Sequence, residues 1–241
     1  MLSKNRIKDI QTLGQKKFRE EERLFIAEGP KIVEELLQPG ILKVKEIFAL
    51  ESWASQHPSS IPITIVEEFE LEKISQLNTP NQVLAIVEMP ATAGLPDAGT
   101  EPVLALDDIR DPGNLGTIIR IADWFGLQSV VCSLETAELY NPKTVQSAMG
   151  SIAHVQVNYT NLGDWIFGQT NTPVYAAVLD GEDPAKMQKI SRGIIVIGNE
   201  SKGIRPEILD MATNRITIPA KGRAESLNAA VATGIILSHL I

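Results

Sequence analysis

Three short segments of the chain gather residue types able to position a phosphate, a hydroxyl or a proton. The first, LDDIRDPGNLGTIIRIADWFG (106–126), reads as a strand ending at Asp107, a loop of Asp, Pro, Gly and Asn, and a helix starting near Asn114. Leu115, Ile118, Ile119 and Ala122 mark a buried helix face, and Arg120 lies off it. Such a loop falls where open α/β sheets place ligands, beyond the carboxyl ends of their strands. Helix N-terminal N–H groups there suit a phosphate. From position alone, the favoured role for Arg120 is a plain structural one, an i,i+3 pair with Asp123.

The second segment, VIGNESKGIRPEIL (196–209), is a buried strand ending at Gly198, a polar loop, and a helix start at Pro206. Glu200 in that loop is read either as a site carboxylate or as a solvated one. The third, ITIPAKGRAESLN (216–228), again runs strand, glycine-containing loop, helix. Ser226 is a good N-cap candidate, and Asn228 suits capping or a local hydrogen bond. Neither a dinucleotide fingerprint nor a phosphate-binding P-loop is present, which disfavours a nicotinamide oxidoreductase. No nucleophile–His–Asp set emerges: His154 and His239 sit among apolar residues, and Cys132 in SVVCS reads as a core thiol. The three histidines and one cysteine form no recognisable zinc pattern and permit no internal disulfide.

The elements that must hold these segments are legible as apolar runs. After a Pro- and Gly-rich stretch at 90–102, read as a linker, come VLALD (103–107), SVVCS (129–133), AHVQV (153–157), VYAAVLD (174–180), GIIVIG (193–198) and RITIP (215–219). Unalternating strands separated by helices predict a parallel sheet covered on both faces, over 103–241. Residues 1–89 predict a separate small α/β domain, with strands at LFIAEG, EIFAL, ITIVEE and VLAIVE and helices at PKIVEELL and FELEKISQL. The last segment, SLNAAVATGIILSHLI (226–241), is apolar on almost every face. Either a large core or a subunit seam explains that, and Gly234 suggests close backbone approach.

The chain has 241 residues, 44% of them hydrophobic, with 22 Lys and Arg against 30 Asp and Glu for a net charge of −8. That excludes a mainly disordered chain. No apolar run reaches the ~20 residues of a membrane span, and the N-terminus lacks the apolar region of a secretory signal. A cytoplasmic location with no membrane partner is expected. Taken alone, −8 argues against nucleic acid. The charge is unevenly distributed, however: residues 1–19 hold six cations against Asp9, a local +5 that leaves −13 on the other 222 residues.

Together, NLGTIIRIADWFG, IGNESKGI and ITIPAKGRAESLNAAVA resemble the three ordered motifs of the SpoU (TrmH-like) RNA 2′-O-ribose methyltransferases of the SPOUT superfamily. NPKTVQSAMGSIAHVQV (141–157) is similar to the connecting segment of rRNA-modifying members. The N-terminal SKNRIKDIQTLGQKKFREEERLFIAEGPKIVEELL resembles the family's substrate-binding domain, of ribosomal-protein L30e-like fold. The resemblance implies an α/β architecture with a C-terminal parallel sheet tied in a deep trefoil knot, S-adenosylmethionine as methyl donor, a ribose 2′-hydroxyl as acceptor, and a homodimer. It favours rRNA over tRNA.

Carried over residue by residue, it places Asn114, Arg120, Glu200, Ser226 and Asn228 at functional positions. It assigns the donor to Ile197, Gly198, Asn199, Gly203, Ile218, Pro219, Ser226 and Leu227, and implies no metal. Ala229 and Ala230 depart mildly from the β-branched residue and serine of many members. The family's proposal makes the motif-one arginine, here Arg120, the base. Because a guanidinium stays protonated, orienting the phosphate and stabilising a developing alkoxide is the other role open to it. Glu200 would organise the loop or contact the acceptor. The alternative is a non-catalytic RNA- or ribosome-binding protein retaining the fold. RNA is expected on the basic N-terminal segment and on the motif loops, since Arg110, Arg120, Lys143, Lys202, Arg205, Lys221 and Arg223 are seven of the 11 cations in 103–241. The dimer seam is expected along 226–241.

Overall fold

A computed structural model describes residues 1–91 and 93–241; Thr92, inside the expected linker, lies outside the described residues. The chain forms two units, Met1–Ala91 with Tyr140–His154, and Thr92–Leu139 with Val155–Ile241.

The N-terminal unit runs α1 (Lys4–Thr12), α2 (Lys16–Glu22), β1 (Leu24–Glu28), α3 (Pro30–Leu36), β2 (Lys43–Ala49), α4 (Glu51–Ala54), β3 (Ile63–Ile65), α5 (Glu68–Ile74) and β4 (Val83–Glu88). Its sheet order is β1-β4-β2-β3, antiparallel except for β2 with β3. Val83 to Val87 are all buried, as expected of an inner strand covered on both faces. Ile10 and Leu13, from α1 and its C-cap, enter the core with Ile26, Phe48, Leu71 and Leu84.

The basic segment is less free than its sequence suggests. Arg6 meets Glu46 at 2.6 Å, Lys16 pairs with Glu20 at 3.6 Å and Lys17 with Glu21 at 3.9 Å. Arg19 is buried and donates to the Leu13 carbonyl at 2.9 Å. Of the six cations, Lys4 and Lys8 stand exposed without a partner among the described residues. The local +5 is therefore mostly neutralised or structural.

The second unit runs β5 (Pro102–Asp107), α6 (Pro112–Trp124), β6 (Ser129–Ser133), β7 (Gln156–Thr160), α8 (Leu162–Gly168), β8 (Val174–Glu182), β9 (Gly193–Gly198), α9 (Pro206–Leu209), β10 (Asn214–Ile216) and α10 (Ala229–Leu240), with α7 (Pro142–Ala148) inserted between β6 and β7. All six strands pair parallel in the order β10-β8-β9-β5-β6-β7. Val103 to Leu106 and Ile194 to Val196 are fully buried, each large side chain contributing about 1.5–3 kcal/mol, so the central strands are fixed by burial.

Several boundaries differ from the sequence expectation. Residues 151–153 form a turn of 3₁₀ helix, and the strand starts at Gln156. The segment around α7 packs within the N-terminal unit, where Tyr140 meets Phe25 with ring centroids 4.6 Å apart. The end of the expected linker is part of the second unit's core: Ala98 is buried, and its N–H donates to Gln169. Among the described residues, Gly234 meets no close backbone from outside its own helix, since a Cβ there would meet only Ile121 Cδ1 at 3.7 Å. His239 is exposed, and His154 contacts the Glu35 carboxylate at 2.8 Å, so neither sits in a wholly apolar setting. Cys132 is buried, which pushes its thiol pKa up.

At the end of β1, buried Glu28 accepts from Ser75 Oγ at 2.5 Å and from the Gln76 N–H at 2.7 Å, anchoring the chain after α5. Desolvation outweighs these bonds and raises the carboxyl pKa above 4.5. The folded state then binds more protons than the unfolded one, so this group's stabilisation, complete at low pH, is lost as pH rises through the raised value. Glu28→Gln, whose amide oxygen keeps the Gln76 N–H and whose Nε2 donates to Ser75 Oγ in place of accepting, should remove that decline. Denaturant unfolding of both proteins from pH 4 upward should show the wild type losing stability relative to the variant.

Candidate functional site

The site lies at the carboxyl ends of β5 and β9, where the strand order turns outward in both directions and the loops part. Asp107, the last residue of β5, is fully buried and accepts from both the Arg205 N–H and Arg205 Nε at 2.8 Å. A buried carboxylate without such donors would cost several kcal/mol, so this clamp fixes where the loop after β9 ends. The loop's start is tied too, with Asn199 Nδ2 donating to the Asp108 carbonyl at 2.8 Å. Asn199 Oδ1 accepts from the N–H groups of Ser201 and Lys202, and the backbones of Asn199 and Gly203 exchange two hydrogen bonds. Gly198 is required here, because a Cβ would collide with the Gly203 carbonyl carbon.

α6 begins earlier than expected, at Pro112, because Asp111 caps it by accepting from the Asn114 N–H at 2.9 Å. α10 begins later, at Ala229, and its cap is Asn228 in place of Ser226. Asn228 Oδ1 accepts from the N–H groups of Ala230 at 3.0 Å and Val231 at 3.3 Å. Its Nδ2 donates to Asn114 Oδ1 at 2.8 Å, and Asn114 Nδ2 donates to Glu200 Oε1. Residues from all three motif segments thus meet in one hydrogen-bonded line. Arg120 is exposed on α6 and has no carboxylate within ion-pair distance among the described residues, so the pair with Asp123 does not form.

Glu200 also borders a cavity of about 690 Å³. Ile197, Gly198, Asn199, Gly203, Ile218, Pro219, Ser226 and Leu227 all line it. Asn114, Arg120 and Asn228 stand outside that lining. Sequence reasoning did not single out its further wall, Ala177–Asp180. β8 pairs with β10 through Ala176 and then Glu182, so the intervening residues bow out of register. Gly181 allows this, because a Cβ there would lie 2.6 Å from the Arg215 backbone. The Asp-Gly pair in VLDGED is the signal that could have marked the bulge. The clamp between Asp107 and Arg205 had no such signal.

The wall opposite consists of 218–227, whose backbone groups make no hydrogen bond among the described residues. Backbone N–H and C=O groups require partners once covered, so a ligand here would find donors and acceptors beside an apolar surface. That pairing suits a heteroaromatic base and an amino-acid moiety. Among the described residues, no group of three His, Cys, Asp or Glu could hold a metal ion.

Comparisons with known proteins fit this geometry. The chain is 35% identical to the 23S rRNA (guanosine(2553)-2′-O)-methyltransferase of Bacillus subtilis, over 98% of this chain and 95% of that one. A solved structure of AdoMet-bound rRNA methyltransferase from Sinorhizobium meliloti superposes with a TM-score of 0.83 at 33% identity, covering 100% of this chain and 95% of that one. A TrmH-family protein from Porphyromonas gingivalis gives 0.87 at 36%, covering 100% and 98%. Residues 4–85 match the MRM3-like substrate binding domain, and 101–238 match the SpoU rRNA methylase family. The chain belongs to the SpoU rRNA methylase family, and its three motif segments meet at the hydrogen bonds joining Asn228, Asn114 and Glu200.

Proposed function

We propose that this chain methylates the ribose 2′-hydroxyl of one nucleotide in rRNA, with S-adenosylmethionine as methyl donor. The observation that carries the reading is the line Asn228–Asn114–Glu200 beside the cavity, in a chain of this family. A retained fold that only binds RNA would not need its motif side chains held in that order. The cavity fits the donor in size, in apolar surface at Ile197, Ile218 and Leu227, and in the backbone groups of 218–227, unpaired among the described residues. When bound, the donor supplies an electrophilic methyl group on a sulfonium. Ile197, Gly198, Asn199, Gly203, Ile218, Pro219, Ser226 and Leu227 hold its adenosine and methionine parts.

Arg120 serves the RNA. A guanidinium with no carboxylate partner among the described residues is suited to a phosphate and to negative charge developing on the attacking oxygen. Ser226, in the cavity wall, orients groups beside it. Wild-type protein should transfer labelled methyl from S-adenosylmethionine to unmethylated rRNA at a single mapped ribose. Arg120→Ala should lower kcat/KM by roughly 100-fold while calorimetric donor affinity stays unchanged. An Arg120→Ala protein of full activity would remove Arg120 from the site.

The N-terminal unit holds RNA, with Lys4 and Lys8 as its available cations on α1. Deleting 1–19 would remove core residues Ile10 and Leu13, so charge reversal is the cleaner probe. Lys4→Glu with Lys8→Glu should weaken RNA binding and reduce the slope of log K against log salt by about 2, each lost phosphate contact contributing roughly 0.9. An unchanged slope would move the RNA surface elsewhere.

The chain works as a homodimer through 226–241. α10 carries exposed Val231, and α6, which packs against it, ends in Trp124 at 85% exposed. Light scattering should give twice 26.3 kDa, and Val231→Glu should shift the mass toward the monomer. The reading also includes the deep knot over the C-terminal motif loops. It puts the protein with rRNA in the cytoplasm; among the described residues, no helix is long and apolar enough to cross a membrane.

A further inference from the structure

The hydrogen-bonded line in the site has a direction, and its direction is set at the N-terminus of α10. The N–H groups of Ala230 and Val231 can only donate. The Asn228 atom they meet must therefore be Oδ1, which leaves Nδ2 as the end facing Asn114. Nδ2 can only donate, so Asn114 must turn Oδ1 toward it and present its own Nδ2 to Glu200. Glu200 Oε1 then receives an N–H and has to accept. No amide can flip without leaving a helix-cap N–H or an amide end unpaired.

The consequence falls on Glu200. The relay holds Oε1 as an acceptor, and among the described residues Oε2 has no partner while the side chain borders the cavity. The neighbouring groups do not offer another base. Arg120 is a cation, Asn114 and Asn228 do not take protons, and the three histidines lie elsewhere: His57 and His154 in the N-terminal unit, His239 in the last turn of α10.

Resting on the methyltransferase reading above, we infer that Glu200 accepts the proton of the ribose 2′-hydroxyl, and that Asn228, through Asn114, keeps it in the accepting state. The O–H bond of the hydroxyl breaks, and its proton joins Glu200 Oε2. The electron pair left on oxygen forms the new O–CH₃ bond as the methyl–sulfur bond of the donor breaks, with that bond's pair remaining on sulfur. Arg120 is thereby relieved of base duty and keeps the electrostatic one. Asn114 and Asn228 are positioning residues. α10 is linked to the chemistry through its cap.

Glu200→Gln keeps the acceptor toward Asn114 and removes the basic oxygen. With S-adenosylmethionine and unmethylated rRNA, kcat should fall roughly 100-fold or more. KM for rRNA and calorimetric donor affinity should stay within a few-fold of wild type. The acid limb of the wild-type pH–rate profile should disappear, and added formate should partly restore Glu200→Ala. Asn228→Asp supplies the second arm, because it keeps a capping oxygen but loses the Nδ2 donor. Asn114 would then turn its Nδ2 to the substituted carboxylate and its Oδ1 to Glu200, favouring a protonated Glu200, so the acid limb should move to higher pH. Glu200→Gln protein with activity within five-fold of wild type, or with lost donor binding, overturns the proposal and leaves the methyltransferase reading intact. An unmoved acid limb in Asn228→Asp overturns the relay. Wild-type protein that binds the donor but labels no rRNA overturns the reading itself.

Discussion

Two backbone N–H groups at the start of α10 can only donate, and the site depends on what that forces. They hold Asn228 in one orientation, Asn228 orients Asn114, and Asn114 orients Glu200. Three segments separated by 86 and 114 residues along the chain are thereby tied at one point. Each neutral bond contributes about 0.5–1.5 kcal/mol net and the one to the carboxylate about 1.5–3, modest against the sheet's hydrophobic burial. The sheet brings the three segments together. The hydrogen bonds choose which atom each presents.

The same division holds for the loop after β9. Burial of Ile194, Ile195 and Val196 fixes the strand, but nothing apolar fixes the path of the polar residues 199–203. That path is set by polar groups at the end of β5, with Asp107 gripping Arg205 and the Asp108 carbonyl receiving Asn199. Between these two ties the loop closes on itself at Asn199 and Gly203, over a glycine that admits no side chain. The cavity exists because this loop is pinned on one side while β8 bows away on the other.

Charge shows how a total misleads. A net of −8 gives little sign of a nucleic-acid partner, and the +5 at the N-terminus overstates one. Tertiary pairing cancels Arg6, and burial commits Arg19 to the Leu13 carbonyl. A phosphate backbone needs cations not already spent on carboxylates, and among the described residues Lys4, Lys8 and Arg120 are exposed without one.

The strands, the helices and the order of the three motif segments were legible in the sequence, because apolar runs must be buried and their periodicity is local. So was part of the cavity wall, since all eight residues that the resemblance assigned to the donor line it, whereas Ala177–Asp180 carried no such mark. Asn228 against Ser226 as the cap was not legible: both residue types cap well, and only the start of the helix at Ala229 decides which one faces the free N–H groups. Arg120 could have paired with Asp123 one turn away, and only the folded helix shows it exposed with no ion pair among the described residues. The clamp of Asp107 on Arg205 joins residues 98 apart, and no local pattern encodes such a partner. Sequence alone determined which residues could do chemistry, since residue type sets donors, acceptors and charge. Tertiary structure decided which of them meet and in which direction each hydrogen bond runs, because both depend on groups far apart in the chain.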